Sequence, residues 1–186
     1  MLVDTYPLKC GKMPGRTGIT EQHIVRCRSD LSFLLLRRQM LLPEFDNKGD
    51  LPNGVHPATL DAVVERFGYG TPQREDVTSR LVHIYDIAHR TGKLERFVLF
   101  GSYVTSKPAP GDIDIILIMR DDFREPDHTE ELLPVLDHQR AQSELGASVF
   151  WIRSSSILLE SVDQFVAHWQ TKRDLTRRGI VEIVEA

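Results

Sequence analysis

The run Asp112-Ile113-Asp114-Ile115-Ile116-Leu117-Ile118-Met119 constrains the fold of this chain more than any other segment. Almost every residue in it is β-branched or aliphatic, which predicts a strand, and the apolar run after Asp114 is long enough to be buried on both faces. Such a strand needs packed layers on each side, so a small sheet among helices is expected. The two aspartates sit two positions apart, so on a strand they project from one face, about 7 Å apart at the backbone. Like charges side by side at the mouth of a buried strand repel, and burial raises that cost. A hard divalent cation such as Mg²⁺ relieves the repulsion, because it takes oxygen ligands. The plainer alternative is a solvated strand end with turn or capping carboxylates.

A second segment bears on that choice. Phe97-Val98-Leu99-Phe100 reads as the end of another strand, Arg96 to Phe100, and runs into Gly101-Ser102-Tyr103. Glycine lets backbone N–H groups approach a ligand closely, and the Ser102 hydroxyl adds a donor for a phosphate oxygen. A helical turn beginning there would add positive potential for an anion. Nine residues separate Ser102 from Asp112. A strand, a Gly-Ser turn, a short connection and an acid-x-acid strand start together favour a metal and phosphate site over either feature alone.

Around this pair the chain reads as α/β or α+β. Residues 1–19 carry prolines and glycines without periodicity and are expected to be irregular. Apolar residues from Ile24 to Leu42 recur at helical steps, with Thr20 as cap and Pro43 as the stop. Residues 46–54 are turn chemistry. Pro57 is expected to open a short helix through Leu60, Val63, Val64 and Phe67, ended by Gly68. Thr71-Pro72 opens a longer one through Val77, Leu81, Ile84, Tyr85 and Ala88, ending at Gly92. After the two strands come an acidic linker (Asp121 to Asp127) and a helix through Leu132, Val135, Leu136 and Leu145, with Pro134 early in it or kinking it. A strand over Ser148 to Ile152, a helix from about Ser155 to Trp169 and a closing strand over Gly179 to Val184 complete the order. Residues 1–42 are therefore expected to be an N-terminal extension and 43–186 the catalytic-type domain.

Phe100-Gly101-Ser102, nine residues, then Asp112-Ile113-Asp114-Ile115 is similar to the signature of the polymerase-beta-like nucleotidyltransferase superfamily. Leu51 to Thr59, Val149-Phe150-Trp151 and Gly179-Ile180-Val181 resemble a small, minimal bacterial branch of it. The resemblance implies a nucleotidyltransferase fold, a small mixed sheet with flanking helices. It further implies Mg²⁺ or Mn²⁺ as cofactor and a nucleoside triphosphate, ATP among them, as substrate. Carried over residue by residue, it assigns Gly101 and Ser102 to the phosphates, and Asp112 and Asp114 to metal and catalysis. Such enzymes move a nucleoside monophosphate to a hydroxyl, here of a protein or an RNA. Many small bacterial members belong to toxin–antitoxin or defence pairs, which makes a cognate toxin or antitoxin an expected partner. The superfamily's third carboxylate, a metal ligand and general base on the next core strand, has no counterpart: Ser148 stands there, with Glu144 just upstream. Two functions thus stay open, a Mg²⁺-dependent nucleotidyltransferase and a degenerate fold of that type that binds nucleotide or an antitoxin-like partner without turnover.

Composition excludes several other classes. A net charge of −4 argues against general nucleic-acid coating, although residues 1–40 hold seven Lys/Arg against three acids, a pattern that suits a basic arm or a solvated helix face. The two cysteines, Cys10 and Cys27, lack zinc spacing and suit reduced thiols. Leu31 to Leu36 is far shorter than the about 20 residues of a membrane span, so no membrane partner is expected and a cytoplasmic location is. An oligomer is left open. His56 suits capping or packing; His83, His89, His128 and His138 lack ligand partners at metal spacing. Lys107, Arg153, Lys172 and Arg173 are candidate phosphate contacts against the alternative of solvated side chains. Trp151 and Trp169 are expected in packing, with base stacking as the alternative.

Overall fold

The computed structural model describes residues 41–124 and 129–185. The expectations for residues 1–40 (the irregular lead-in, the helix from Thr20, the basic arm and both cysteines) and for His128 lie outside these. The described chain forms a mixed α+β fold around a five-stranded sheet, in the order β1-β5-β2-β3-β4. Its strands are β1 (Val55–Ala58), β2 (Leu94–Phe100), β3 (Ile113–Met119), β4 (Ala147–Arg153) and β5 (Ile180–Ile183). β3 is antiparallel to β2 and parallel to β4, while β5 is antiparallel to β2 and parallel to β1.

Side-chain alternation divides the sheet into two faces. Phe97, Leu99, Ile113, Ile115, Leu117, Met119, Ala147, Val149, Val181 and Ile183 join the larger core. That core is filled from four helices: α1 (Leu60–Phe67), α2 (Pro72–Arg90), α3 (Leu133–Leu136) and α4 (His138–Leu145). The opposite face packs Val98, Ile116, Ile118 and Ile180 against Val162, Phe165, Val166 and Trp169, on and just after α5 (Val162–His168). β3 is therefore covered on both sides, as its apolar run requires. Among the described residues no helix is long and apolar enough to cross a membrane.

Local chemistry sets the helix ends. Thr71 accepts the Arg74 amide as N-cap with Pro72 in the first turn, and Ser161 and Gln164 form a reciprocal capping box on α5. Three expectations need correction. Pro57 does not open a helix: it lies in β1, and Thr59 caps α1 instead. β1 pairs only with β5, so it is an edge strand, where proline's missing N–H costs no ladder bond. The helix through Pro134 is two helices, because Asp137 leaves helical geometry and caps α4 by accepting the Gln139 and Arg140 amides. The helix expected from Ser155 is a single 3₁₀ turn, Ser154–Ser156, and α5 begins only at Val162.

Candidate active site

The two aspartates come from the point where β3 begins. Asp114 lies in the strand and Asp112 one residue before it. Asp114 shares its face with Ile116 and Ile118, on the side that faces α5. In cross-strand register it is flanked by Phe100 of β2 and Ser148 of β4. The Ser148 hydroxyl, 8% exposed as a residue, donates to Asp112 Oδ2 at 3.3 Å. Asp112, Asp114 and Ser148 thus gather at one end of the sheet.

Gly101 closes on the same carboxylate. It is buried with φ +80°, and a Cβ built on it would lie 1.6 Å from Asp114 Oδ2. Only glycine fits, both because of that left-handed backbone and because the carboxylate takes the space of a side chain. Ser102 follows, half-buried, its carbonyl accepting from Thr105 Oγ1 at 2.7 Å. Residues 101–104 form hydrogen-bonded turns rather than a helix, so the helix-end contribution considered from the sequence is absent there.

Electrostatics mark Asp114. Burial, and next the negative charge of Asp112, push its carboxyl up to about 6, while Arg178 and Arg173 pull in the other direction. A cation between the carboxylates would remove the largest interaction that raises it besides burial. The donor chemistry, two oxygen-bearing acids with water and phosphate to fill the remaining positions, fits Mg²⁺ or Mn²⁺. Among the described residues no group of three or more His, Cys, Asp or Glu side chains converges as a ligand set. Glu144, the upstream acid, is turned to α4 instead: Arg140 Nε donates to it at 2.7 Å.

The arginines belong to a loop between α5 and β5 that folds back on itself through the Thr171–Arg177 bridge. Arg173 is exposed, and Arg178 sits 4.0 Å from Asp50. Lys172, a candidate phosphate contact from the sequence, is instead tied to Asp50 at 2.9 Å. Arg178 and Asp50 were not singled out by sequence reasoning; the pairs Lys172-Arg173 and Arg177-Arg178 just before the last strand were the available signal. Lys107 is exposed and contributes its carbonyl rather than its ammonium to the fold, and Arg153 is half-buried at the far end of β4.

Beneath the Gly101–Lys107 loop lies Arg74, a buried cation with no sequence signal. From α2 its guanidinium donates to the carbonyls of Phe67 (2.9 Å), Tyr103 (3.2 Å), Thr105 (2.6 Å) and Lys107 (2.6 Å). Burial lowers its proton affinity, yet four acceptors satisfy it. Tyr103 is fully buried and its hydroxyl shares a 2.7 Å bond with Thr78. The loop's carbonyls are therefore drawn inward to α2.

The described histidines weighed from the sequence behave as packing or surface groups. His56 Nε2 is 2.7 Å from the Pro52 carbonyl, His89 pairs with Glu185 at 2.6 Å, His83 is exposed, and His138 Nδ1 is 3.1 Å from the Val149 carbonyl. Trp151 donates its indole N–H to Leu136. Trp169 packs within an aromatic group at the site's edge.

No curated protein and no solved structure matches the chain. A family does, over residues 43–184, which takes in every residue of the site just described. The chain belongs to the family of unknown function DUF6932.

Proposed function

We propose that this chain is a minimal nucleotidyltransferase that moves a nucleoside monophosphate from a nucleoside triphosphate to a hydroxyl of a protein or an RNA. The observation that carries the reading is the Asp112–Asp114 pair at the start of a buried strand, Asp112 held by the hydroxyl of Ser148, the register partner of Asp114, with Gly101 closed against Asp114 and two arginines acting on it from a neighbouring loop. A small mixed sheet with flanking helices suits a nucleotidyltransferase fold.

In this reading Asp112 and Asp114 hold Mg²⁺ or Mn²⁺, and Gly101 and Ser102 bring backbone and hydroxyl donors to the phosphates. Bound there, the divalent ion would neutralise phosphate charge and favour the ionised form of the attacking hydroxyl. Arg173 and Arg178 offset the charge of the departing group. The acceptor oxygen forms a bond to the α-phosphorus, the bond from that phosphorus to the bridging oxygen breaks, and pyrophosphate leaves with its electron pair. The acceptor's proton passes to solvent, because Ser148 stands beside the pair where a carboxylate base would be expected. Positioning and charge neutralisation then supply the rate.

That same serine favours the second reading, a nucleotide- or partner-binding protein without turnover, as in the antitoxin half of a toxin–antitoxin or defence pair. Labelled nucleoside triphosphates, Mg²⁺ or Mn²⁺, and either a candidate neighbour protein or bulk transfer RNA separate the two. Label transferred by wild type but not by Asp112→Ala or Asp114→Ala supports the enzyme. Metal-dependent nucleotide binding without transfer supports the second reading; absence of both refutes the enzyme and the nucleotide-binding form of the second reading, and co-purification with the neighbour protein then tests its partner-binding form.

A further inference from the structure

We propose that Phe150, with Phe100 and Trp169, is the platform on which the base of a purine nucleoside triphosphate stacks. The proposal rests on the nucleotide reading above and adds what that reading leaves open, the place and chemical class of the base.

The register puts these rings beside the acids. Across β2, β3 and β4 one row on the α5 side runs Phe100, Asp114, Ser148, and the next runs Val98, Ile116, Phe150. Strand spacing and rise place the Phe150 backbone about 8 Å diagonally from that of Asp114. A nucleotide with its phosphates at Asp112 and Asp114 spans that distance with its sugar and base.

The rings pack as one cluster. Phe100 lies 4.8 Å and Phe150 5.1 Å from Trp169 between centroids, and Phe100 and Phe150 are 6.3 Å apart. His138 lies 4.8 Å from the Phe150 ring. These are ordinary aromatic packing distances, but the cover is incomplete. Phe150 is 39% exposed, whereas its register partner Ile116 is 1% exposed. Trp169 and Phe100 are half-buried. An aromatic surface left partly open one strand step from a phosphate and metal site suits a flat heterocycle better than an aliphatic group. Phe100 and Phe150 have no polar side-chain atom with which to read a base edge. The platform therefore favours large π surfaces, purines over pyrimidines, without distinguishing adenine from guanine.

Titration calorimetry on the full chain with Mg²⁺ tests this, comparing a non-hydrolysable ATP analogue, its cytidine counterpart and inorganic tripolyphosphate. The ATP analogue should bind about tenfold to a hundredfold tighter than tripolyphosphate, the range that one stacked base contributes. Phe150→Leu, which keeps an apolar side chain and sits at the surface, should remove most of that advantage and leave tripolyphosphate affinity unchanged. Trp169→Phe should retain it. An unchanged advantage in Phe150→Leu, a cytidine analogue equal to the purine, or nucleotides no tighter than tripolyphosphate would overturn the platform while leaving the phosphate site standing. Failure of tripolyphosphate and nucleotides alike to bind with Mg²⁺ would overturn both.

Discussion

Replacing Asp114 by asparagine should stabilise the metal-free protein at neutral pH, against the usual direction for a substitution at a half-buried position. The Asp114 carboxyl is held at about 6 instead of 3.8, by burial first and by Asp112 second. Below the lower value folded and unfolded chains are both protonated there, and the full stability is present. Between the two values the unfolded chain gives up a proton that the folded protein keeps, so stability falls as pH rises; above about 6 the loss is complete and constant. At about 1.4 kcal/mol per tenfold change in proton affinity, the interval from 3.8 to 6 sets a ceiling of about 3 kcal/mol. The side chain is only part-buried, and solvent screening reduces this to about 1–2 kcal/mol. Urea denaturation with a chelator present, at several pH values from 4 upward, reads it directly. The variant's midpoint should lie about half to one molar above wild type at pH 7.5 and converge with it towards pH 4. If the acid pair holds the divalent ion as proposed, adding Mg²⁺ should raise the midpoint of wild type and not of the variant, because a ligand of the folded state alone stabilises it. A variant less stable than wild type at pH 7.5 in chelator, by a margin independent of pH, would refute the electrostatic account of the pair.

Other substitutions probe the surroundings of the pair. Gly101→Ala should cost about 2–3 kcal/mol in urea denaturation, through its left-handed backbone and the collision with Asp114, and should abolish the Mg²⁺-dependent shift. Arg74→Met should cost about 3–5 kcal/mol in the same assay, because the carbonyls it satisfies lose their donor. Arg74→Lys should recover less than half of that, since one ammonium cannot span a planar guanidinium's four acceptors; an unaltered midpoint in Arg74→Met would show that water takes over. Ser148→Asp adds a third carboxylate opposite Asp114 and should lower metal-free stability by about 1–2 kcal/mol while tightening Mg²⁺ binding, both read from thermal melts across a Mg²⁺ series.

What the sequence disclosed of this fold tracks how local the controlling physics is. β3 was legible because a strand covered on both faces must be apolar throughout, and α2 because Thr71-Pro72 and a long apolar stripe state its start and face. Pro57 misled because a proline before an apolar helical stripe looks the same whether it opens the helix or ends an edge strand. The difference lies in β5, more than a hundred residues later. The break at Asp137 was hidden because an aspartate is tolerable within a helix, and its side chain caps the next one only once the chain has turned. Around the proposed site, the closeness of Gly101 to Asp114 was legible because the spacing of the two strands and the glycine carry it. Arg74 was not, since its four acceptors are backbone carbonyls, which leave no trace in residue identity. Phe150 reads as one more apolar residue in a strand, and its exposure depends on how far α5 and Trp169 extend over the sheet.

The same non-local contacts explain how the site keeps its shape without long secondary structure around it. Two loops, Gly101–Lys107 and the basic loop before β5, lie beside the start of β3, and the Asp46–Asp50 turn ties both. The Gly101–Lys107 loop is held from α2 by Arg74, and Ser106 donates its amide to the Gly49 carbonyl at 2.9 Å. The Asp46–Asp50 turn is closed on itself by the Asp46 side chain, which accepts the Lys48 and Asp50 amides at 2.8 and 3.0 Å. Asp50 in turn holds Lys172 of the basic loop, and Gly179 donates to the Leu51 carbonyl at 2.8 Å. Each loop thus leans on an anchor in the next or in the core. A site that depends on placing charge gains from supports that need no rearrangement when a ligand arrives. On this account the ordering cost is met during folding, and the repulsion between Asp112 and Asp114 is borne by these ties. On the proposed nucleotide reading, loosening the Asp50–Lys172 tie by Asp50→Asn should therefore weaken tripolyphosphate binding in titration calorimetry even though neither residue need touch the phosphate.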